Sequence, residues 1–193
     1  LPPTDDIGLS LIGFIFDAIR QTANTDKDVS TRHDNNHLIY MENTLIPSFN
    51  IIGISVRTWN QGEQAASDIA ALWNEFFQNN LIHRIPNRIG DDVYCVYTEY
   101  EKDHTAPYTT ILGCKVASLD DVPEDMDGIR ILESHYKRFE AIGNLQQGAV
   151  YQTWQQIWTA DLPRAYTADF EVYGSDSKDP KDAKVDIFIA IKE

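Results

Sequence analysis

Cysteine is scarce in this chain: Cys95 and Cys114 are the two among 193 residues, with no C-x-x-C pair. Two cysteines do not make a disulfide framework. Histidine is thin as well; His33, His37, His83, His104 and His135 are scattered and none has a metal-ligand spacing. His33 and His37 stand four apart, but in a polar stretch without helical pattern, which suits a surface role. Basic side chains are in deficit, 16 Lys and Arg against 30 Asp and Glu, for a net charge of −14. No run of Lys or Arg offsets it, so phosphate backbones are repelled and direct nucleic-acid binding is disfavoured. The longest apolar run, near residues 9–16, is too short to span a bilayer and lacks the basic flank of a secretory leader. The expectation is a cytoplasmic chain with no membrane span, no metal and no cofactor.

What is present is apolar and aromatic. Hydrophobic residues make up 42% of the chain and aromatic residues 11%, enough for the core of one domain. The acidic balance attracts a cationic ligand, although net charge governs encounter more than it builds a site.

Residues 1–44 stand apart. In "DDIGLSLIGFIFDAIR", Ile7, Leu11, Phe14, Ile15, Ala18 and Ile19 fall at helical spacing, and "QTANTDKDVSTRHDNNH" then reads as a polar linker. Met41 is a plausible natural start, which makes the preceding segment an extension, a fusion or an artefact. An apolar helix on a linker needs a surface to bury against, so a homodimer contact or a transcription-machinery partner is its candidate role.

Residues 45–193 are more orderly. "FNIIGISVRTW" is strand-like, and "EQAASDIAALWNEFFQNN" carries Ile69, Leu72, Trp73, Phe76 and Phe77 on one helical stripe. "DDVYCVYTEY" and "YTTILGCKVASL" flank the loop "EKDHTAP" as a hairpin. The pattern then repeats. "GIRILESHYKRFEAI" is strand-like, and "NLQQGAVYQTWQQIWTA" places Val150, Tyr151, Trp154, Ile157 and Trp158 on a stripe. "ADFEVYGSD" and "AKVDIFIAIKE" form the last pair. The acidic "SLDDVPEDMDG" joins the halves as a solvated connection. Two βαββ units of similar length imply a duplication and an α+β fold: one antiparallel sheet, two helices on one face, and a ligand cleft at the pseudo-twofold junction. Aligning "CVYTEY" with "EVYGSD" matches Cys95 to Glu171.

Strand alternation divides the last unit's key stretch. Phe170 and Val172 point one way, Glu171 and Tyr173 the other. If the first pair packs under the helices, the second faces the cleft, with Cys95, Tyr97 and Glu99 on the same face in the first half. Folding the hairpin about its loop sets Cys95 roughly opposite Cys114, where a disulfide is geometrically conceivable but two reduced thiols fit a cytoplasmic chain better.

These ordered motifs, "IIGISVRTWN", "IAALWNEFF", "VYCVYTEY", "AVYQTWQQIW" and "YTADFEVYGSD" among them, resemble the GyrI-like superfamily of AraC-type effector-binding domains, in particular the integron-associated (integron cassette) effector-binding proteins. The resemblance covers roughly residues 45–193. It implies a bacterial multidrug-binding domain, linked in some relatives to transcription regulation, that takes lipophilic cations into an aromatic pocket with an acid at its base. The motif "DFExY" carries that acid onto Glu171, the "LW" of the first helix brings Trp73, and "VYxxY" brings Tyr97. No DNA-binding module is visible in this chain, so a stand-alone binder is implied.

A lipophilic cation must bury its apolar body, gaining ~25 cal/mol per Å², and must meet a counter-charge or π faces. Glu171 supplies the charge, and Trp73, Tyr97, Tyr108 and Tyr173 offer cation–π contacts. Trp59, at the end of the first strand, is a rim candidate; Tyr136 and Phe139 are wall candidates. Trp154 and Trp158 suit core packing as well as a pocket. A solvated sheet face explains Glu171 without any ligand. The expected function is a sensor or sequestering protein with no catalytic residue. The alternative is a hydrolase of reactive small molecules that uses Glu171 as general acid or base.

Overall fold

The computed structural model describes residues 40–192. The apolar helix and most of the polar linker expected before them lie outside the described residues, as does any partner contact assigned to them. Strand β1 (Tyr40–Ile46) runs across the boundary placed at residue 44. It is followed by β2 (Phe49–Thr58), α1 (Gln64–Gln78), β3 (Arg88–Thr98) and β4 (Tyr108–Val116). The second half comprises β5 (Asp127–Ile131), β6 (Ser134–Gly143), α2 (Ala149–Thr159), β7 (Ala168–Tyr173) and β8 (Ala183–Ala190). All eight strands join one antiparallel sheet in the order β1-β6-β8-β7-β3-β4-β2-β5. The two βαββ units lie side by side in it and meet where β3 pairs with β7. The stretch read as one strand, "GIRILESHYKRFEAI", is two: β5 pairs with β2, whereas β6 begins the second unit.

The connections force the sheet to curl. β1 and β2 lie six positions apart in the sheet order, which in a flat sheet is about 29 Å. Pro47 and Ser48 alone join them, and that link reaches about 11 Å at most. The edges must therefore approach each other. The rings of Phe49 on β2 and Phe170 on β7, three positions apart, show which face closes: their centroids are 5.3 Å apart. Inside the curl, Phe49, Ile51, Val96, Ile111, Tyr136 and Phe170 form an aromatic-rich core.

Both helices cover the outer face. Leu72, Trp73 and Phe76 of α1 and Trp154 and Ile157 of α2 are buried, packing with Ile52, Leu112, Phe139 and Ile187 of the sheet. These are the stripes expected from 3.6-residue spacing. α1 stops at Asn79 and Asn80, the latter left-handed with φ 52°, a conformation asparagine tolerates better than most residues. Gly148, left-handed with φ 78°, precedes α2.

Cys95 stands opposite Leu112 and Cys114 opposite Val93, so the two thiols are offset by one pair of positions. Both are buried and free. Among the described residues no helix is long and apolar enough to cross a membrane, and no group of three or more His, Cys, Asp or Glu is placed to hold a metal ion.

One glycine pair lets β2 and β4 approach closely at the start of the curl. Gly53 and Gly113 face each other, and a Cβ on either would lie 2.1 Å from a backbone oxygen of the opposing strand. Backbone on both sides has nowhere to retreat. Gly113→Ala is expected to cost about 3 kcal/mol, read as a lowered urea midpoint; an unchanged midpoint would contradict the close approach.

Candidate functional site

The centre of the sheet is the floor of the site. β3 and β7 pair so that Cys95 faces Glu171 and Val93 faces Tyr173. Period-two alternation then places Cys95, Tyr97, Glu171 and Tyr173 together on the helix-covered face. This corrects the arrangement expected from sequence, with Phe170 and Val172 beneath the helices and the cleft on the opposite side. Phe170 and Val172 instead lie within the curl, and helices and cleft share the outer face. The reason is physical: a curled sheet buries its concave side against itself, leaving its convex side for the helices.

Between α1 and α2 that outer face holds a cavity of about 200 Å³, with Glu171, Trp73, Tyr97, Tyr108, Tyr173 and Trp154 among its lining. Glu171 is 2% exposed. Its Oε1 accepts from the Tyr97 hydroxyl at 2.9 Å and from the Trp154 indole N–H at 2.5 Å, while its Oε2 accepts from the Tyr173 hydroxyl at 2.7 Å. None of the three donors is a cation. Burial raises the pKa of Glu171, and the hydrogen bonds from Trp154, Tyr173 and Tyr97 offset only part of that rise. Burial also raises both tyrosines well above the ordinary phenol range, so they stay neutral donors.

The duplication is visible in the packing. Trp73 meets Tyr173 edge-on at 4.8 Å, and Trp154 meets Tyr97 edge-on at 5.2 Å. The two helices thus contribute matching tryptophans to matching tyrosines. Symmetry fails at the centre, where Cys95 occupies the position equivalent to Glu171. Burial, followed by the neighbouring Glu171, raises the Cys95 thiol well above its usual range.

Two residues before Glu171 on the same face of β7, Asp169 anchors a second polar group. Arg164 Nη2 donates to Asp169 Oδ2 at 2.6 Å, and the Tyr100 hydroxyl donates to the same oxygen at 2.8 Å. The Ala190 backbone N–H serves Asp169 Oδ1 at 2.8 Å. The Arg164 guanidinium lies 4.4 Å from the Tyr166 ring centroid. His104, from the β3–β4 loop, stacks on Trp158 of α2 at 5.9 Å with the rings 4° from parallel. Burial, then the Arg164 charge, lowers the His104 pKa.

Of the residues singled out in sequence, Glu171, Trp73, Tyr97, Tyr108 and Tyr173 line one cavity. Trp59 does not: it is 41% exposed. Tyr136 lies inside the curl against Phe170, on the far side of the sheet, because alternation along β6 turns it away from the helices. Phe139 faces the helices but as buried core. Glu99 sits beyond β3 with a left-handed φ of 51° and accepts from Thr109 Oγ1 at the surface. Sequence reasoning left Trp154 undecided; its match to Trp73 in the duplicated unit was the available signal. It missed Asp169, although period two puts that residue on the face of Glu171. Arg164, in the loop before β7, gives no periodic signal.

The raised Glu171 pKa has a stability consequence. The folded state holds this proton to higher pH than the unfolded chain, so the contribution is fully present below the ordinary glutamate value of 4.5 and is lost as pH rises through the folded value. Glu171→Gln, which cannot titrate, should gain stability relative to the parent as pH rises through that window, in urea melts at successive pH values. Parallel profiles would contradict it. Trp154→Phe keeps an aromatic ring but deletes the indole N–H donor, and should move the parent's window to higher pH.

A family model for integron-associated effector binding proteins (Cass2) matches residues 44–191. The putative transcriptional regulator protein YobU of Bacillus subtilis (strain 168) is 31% identical over 146 residues, 73% of this chain and 91% of that protein. Among solved structures, the integron cassette protein VCH_CASS2 from the mobile metagenome of Vibrio cholerae has a TM-score of 0.64 at 27% identity, over 81% of this chain and 100% of that one. SAV2435, solved bound to tetraphenylphosphonium, has a TM-score of 0.66 at 21% identity over 80% of this chain and 94% of that one, and shares the fold. The chain belongs to the family of integron-associated effector binding proteins.

Proposed function

We propose that this protein binds lipophilic aromatic cations in the cavity between α1 and α2, with Glu171 as the compensating charge, and acts as a sensor or sequestering module. One observation carries the reading: a carboxylate with three neutral donors and no cationic partner lies at the base of an aromatic cavity. Burying an ion in that way costs free energy unless something positive arrives. The three donors take most of the roughly four acceptor sites of the carboxyl, which leaves little for a hydrogen-bonding ligand. A quaternary cation needs no hydrogen bond; it needs negative potential and π faces. Trp73, Trp154, Trp158, Tyr97 and Tyr108 line the cavity and supply faces, each worth ~0.5–2 kcal/mol to a bound cation. The tetraphenylphosphonium held by SAV2435 is a cation of this chemical class. Two buried free thiols suit a cytoplasmic setting.

Tryptophan fluorescence titrated with tetraphenylphosphonium tests the reading, since Trp73, Trp154 and Trp158 line the cavity. Saturable quenching is expected in the parent, with affinity weakened about tenfold or more in Glu171→Gln. Equal affinity in the two proteins removes the role given to Glu171. The affinity of the parent for this permanent cation should rise with pH as Glu171 ionises, whereas Glu171→Gln should stay flat. Mass spectrometry after incubation with a lipophilic cation that carries an ester separates binder from hydrolase: intact ester supports binding, and the free acid and alcohol support turnover.

A further inference from the structure

Arg164 is provided with more donors than its surroundings use. A guanidinium carries five N–H bonds, and the hydrogen bond to Asp169 engages Nη2 alone. Among the described residues, four buried side-chain polar atoms lack a hydrogen-bond partner, and two of them are Arg164 Nε and Nη1. The side chain is 5% exposed, so it is sheltered from bulk water. Leaving such donors unmet costs more than leaving them in water, and an Arg–carboxylate pair built only for stability would more commonly engage two prongs of the fork. Asp169 does not need that second prong, because Tyr100 and the Ala190 N–H complete its shell. Asp169 and the Tyr166 ring thus fix the guanidinium in place, and Arg164 lines the same cavity as Glu171.

We infer that the Arg164 end of the cavity is a second subsite, which takes a carboxylate or carbonyl oxygen of the same ligand whose cationic body lies over Glu171. Nε–H and the Nη1 hydrogens point to different sides of the guanidinium, so each is a separate unmet donor, and an oxygen reaching Nη1 gains a charge-assisted hydrogen bond. Trp154 connects the poles: its indole N–H donates to Glu171, and its ring centroid lies 6.0 Å from Arg164 Cζ. A ligand lying on that indole therefore reaches both charges. The ligand class is an aromatic amphoteric compound, cationic at one end and acceptor-bearing at the other. The subsite rests on the cation-binding reading but is separable from it.

Two probes of matched length separate them. Pentyltriphenylphosphonium carries the cation alone; (4-carboxybutyl)triphenylphosphonium adds a carboxylate. On a chain of net charge −14, a carboxylate without a partner weakens binding. With the subsite, the carboxylated probe is expected to bind the full-length chain about tenfold tighter or more than the pentyl probe. The ratio of the two affinities should fall to one or below in the double variant Arg164→Met with Asp169→Asn, which removes both charges of that pair together. Equal or weaker binding of the carboxylated probe to the parent overturns the subsite, while saturable pentyl binding keeps the cation reading. A preference that persists in the double variant also overturns it. Failure of both probes to bind the parent overturns both readings.

Discussion

A carboxylate taken out of water without a cation beside it is the constraint on which the site depends. Glu171 is held by two phenols and an indole, donors that lower the cost of its charge without cancelling it. Each donor comes from a different place: Tyr97 from β3, Tyr173 from the same strand as Glu171, and Trp154 from α2. The shell therefore forms only when the two units pair and the second helix docks. Folding and the electrostatics of the cavity are one event, and the negative potential is fixed by packing rather than by a flexible surface side chain.

The curl of the sheet makes that geometry available. Two-residue links draw opposite edges together, so the concave face closes over its own aromatics and the helices take the convex face. β3 and β7 run down the middle, far from either edge, and the residues between the helices lie above a stiff floor. The duplication supplies paired walls, Trp73 with Tyr173 and Trp154 with Tyr97. The break in symmetry supplies chemistry. Cys95 packs at one central position as a small buried group, and Glu171 at the other brings a carboxyl group to the cavity. Arg164, paired with Asp169, brings a second charged group to the lining.

Much of this was legible in the sequence, for reasons that can be named. Helical stripes around Trp73 and Trp154, the strand alternation through Glu171 and the repeated strand–helix–strand–strand order are local patterns, and local patterns survive folding. The pairing of Cys95 with Glu171 followed from the duplication. Which face the helices cover did not, because alternation separates two faces without naming them, and only the short links between distant strands decide it. Tyr136 lies on the concave face, not on the expected cavity wall, for that reason. β5 was hidden because Leu132 and Glu133 interrupt an otherwise continuous β-rich run. Arg164 lies in a loop, where no period operates, and its meaning depends on Asp169, Tyr100 and Tyr166 arriving from elsewhere.

Under the proposed function Glu171 pairs with a bound cation, and its own ionisation reports this most directly. Infrared difference spectra of the carboxyl band, with Glu171→Gln as the assignment control, would follow its titration in the free protein and with tetraphenylphosphonium bound. A raised pKa is expected in the free protein and should fall on binding, so that the ligand drives deprotonation at a pH just below the free value. A Glu171 titration unmoved by saturating ligand would contradict it.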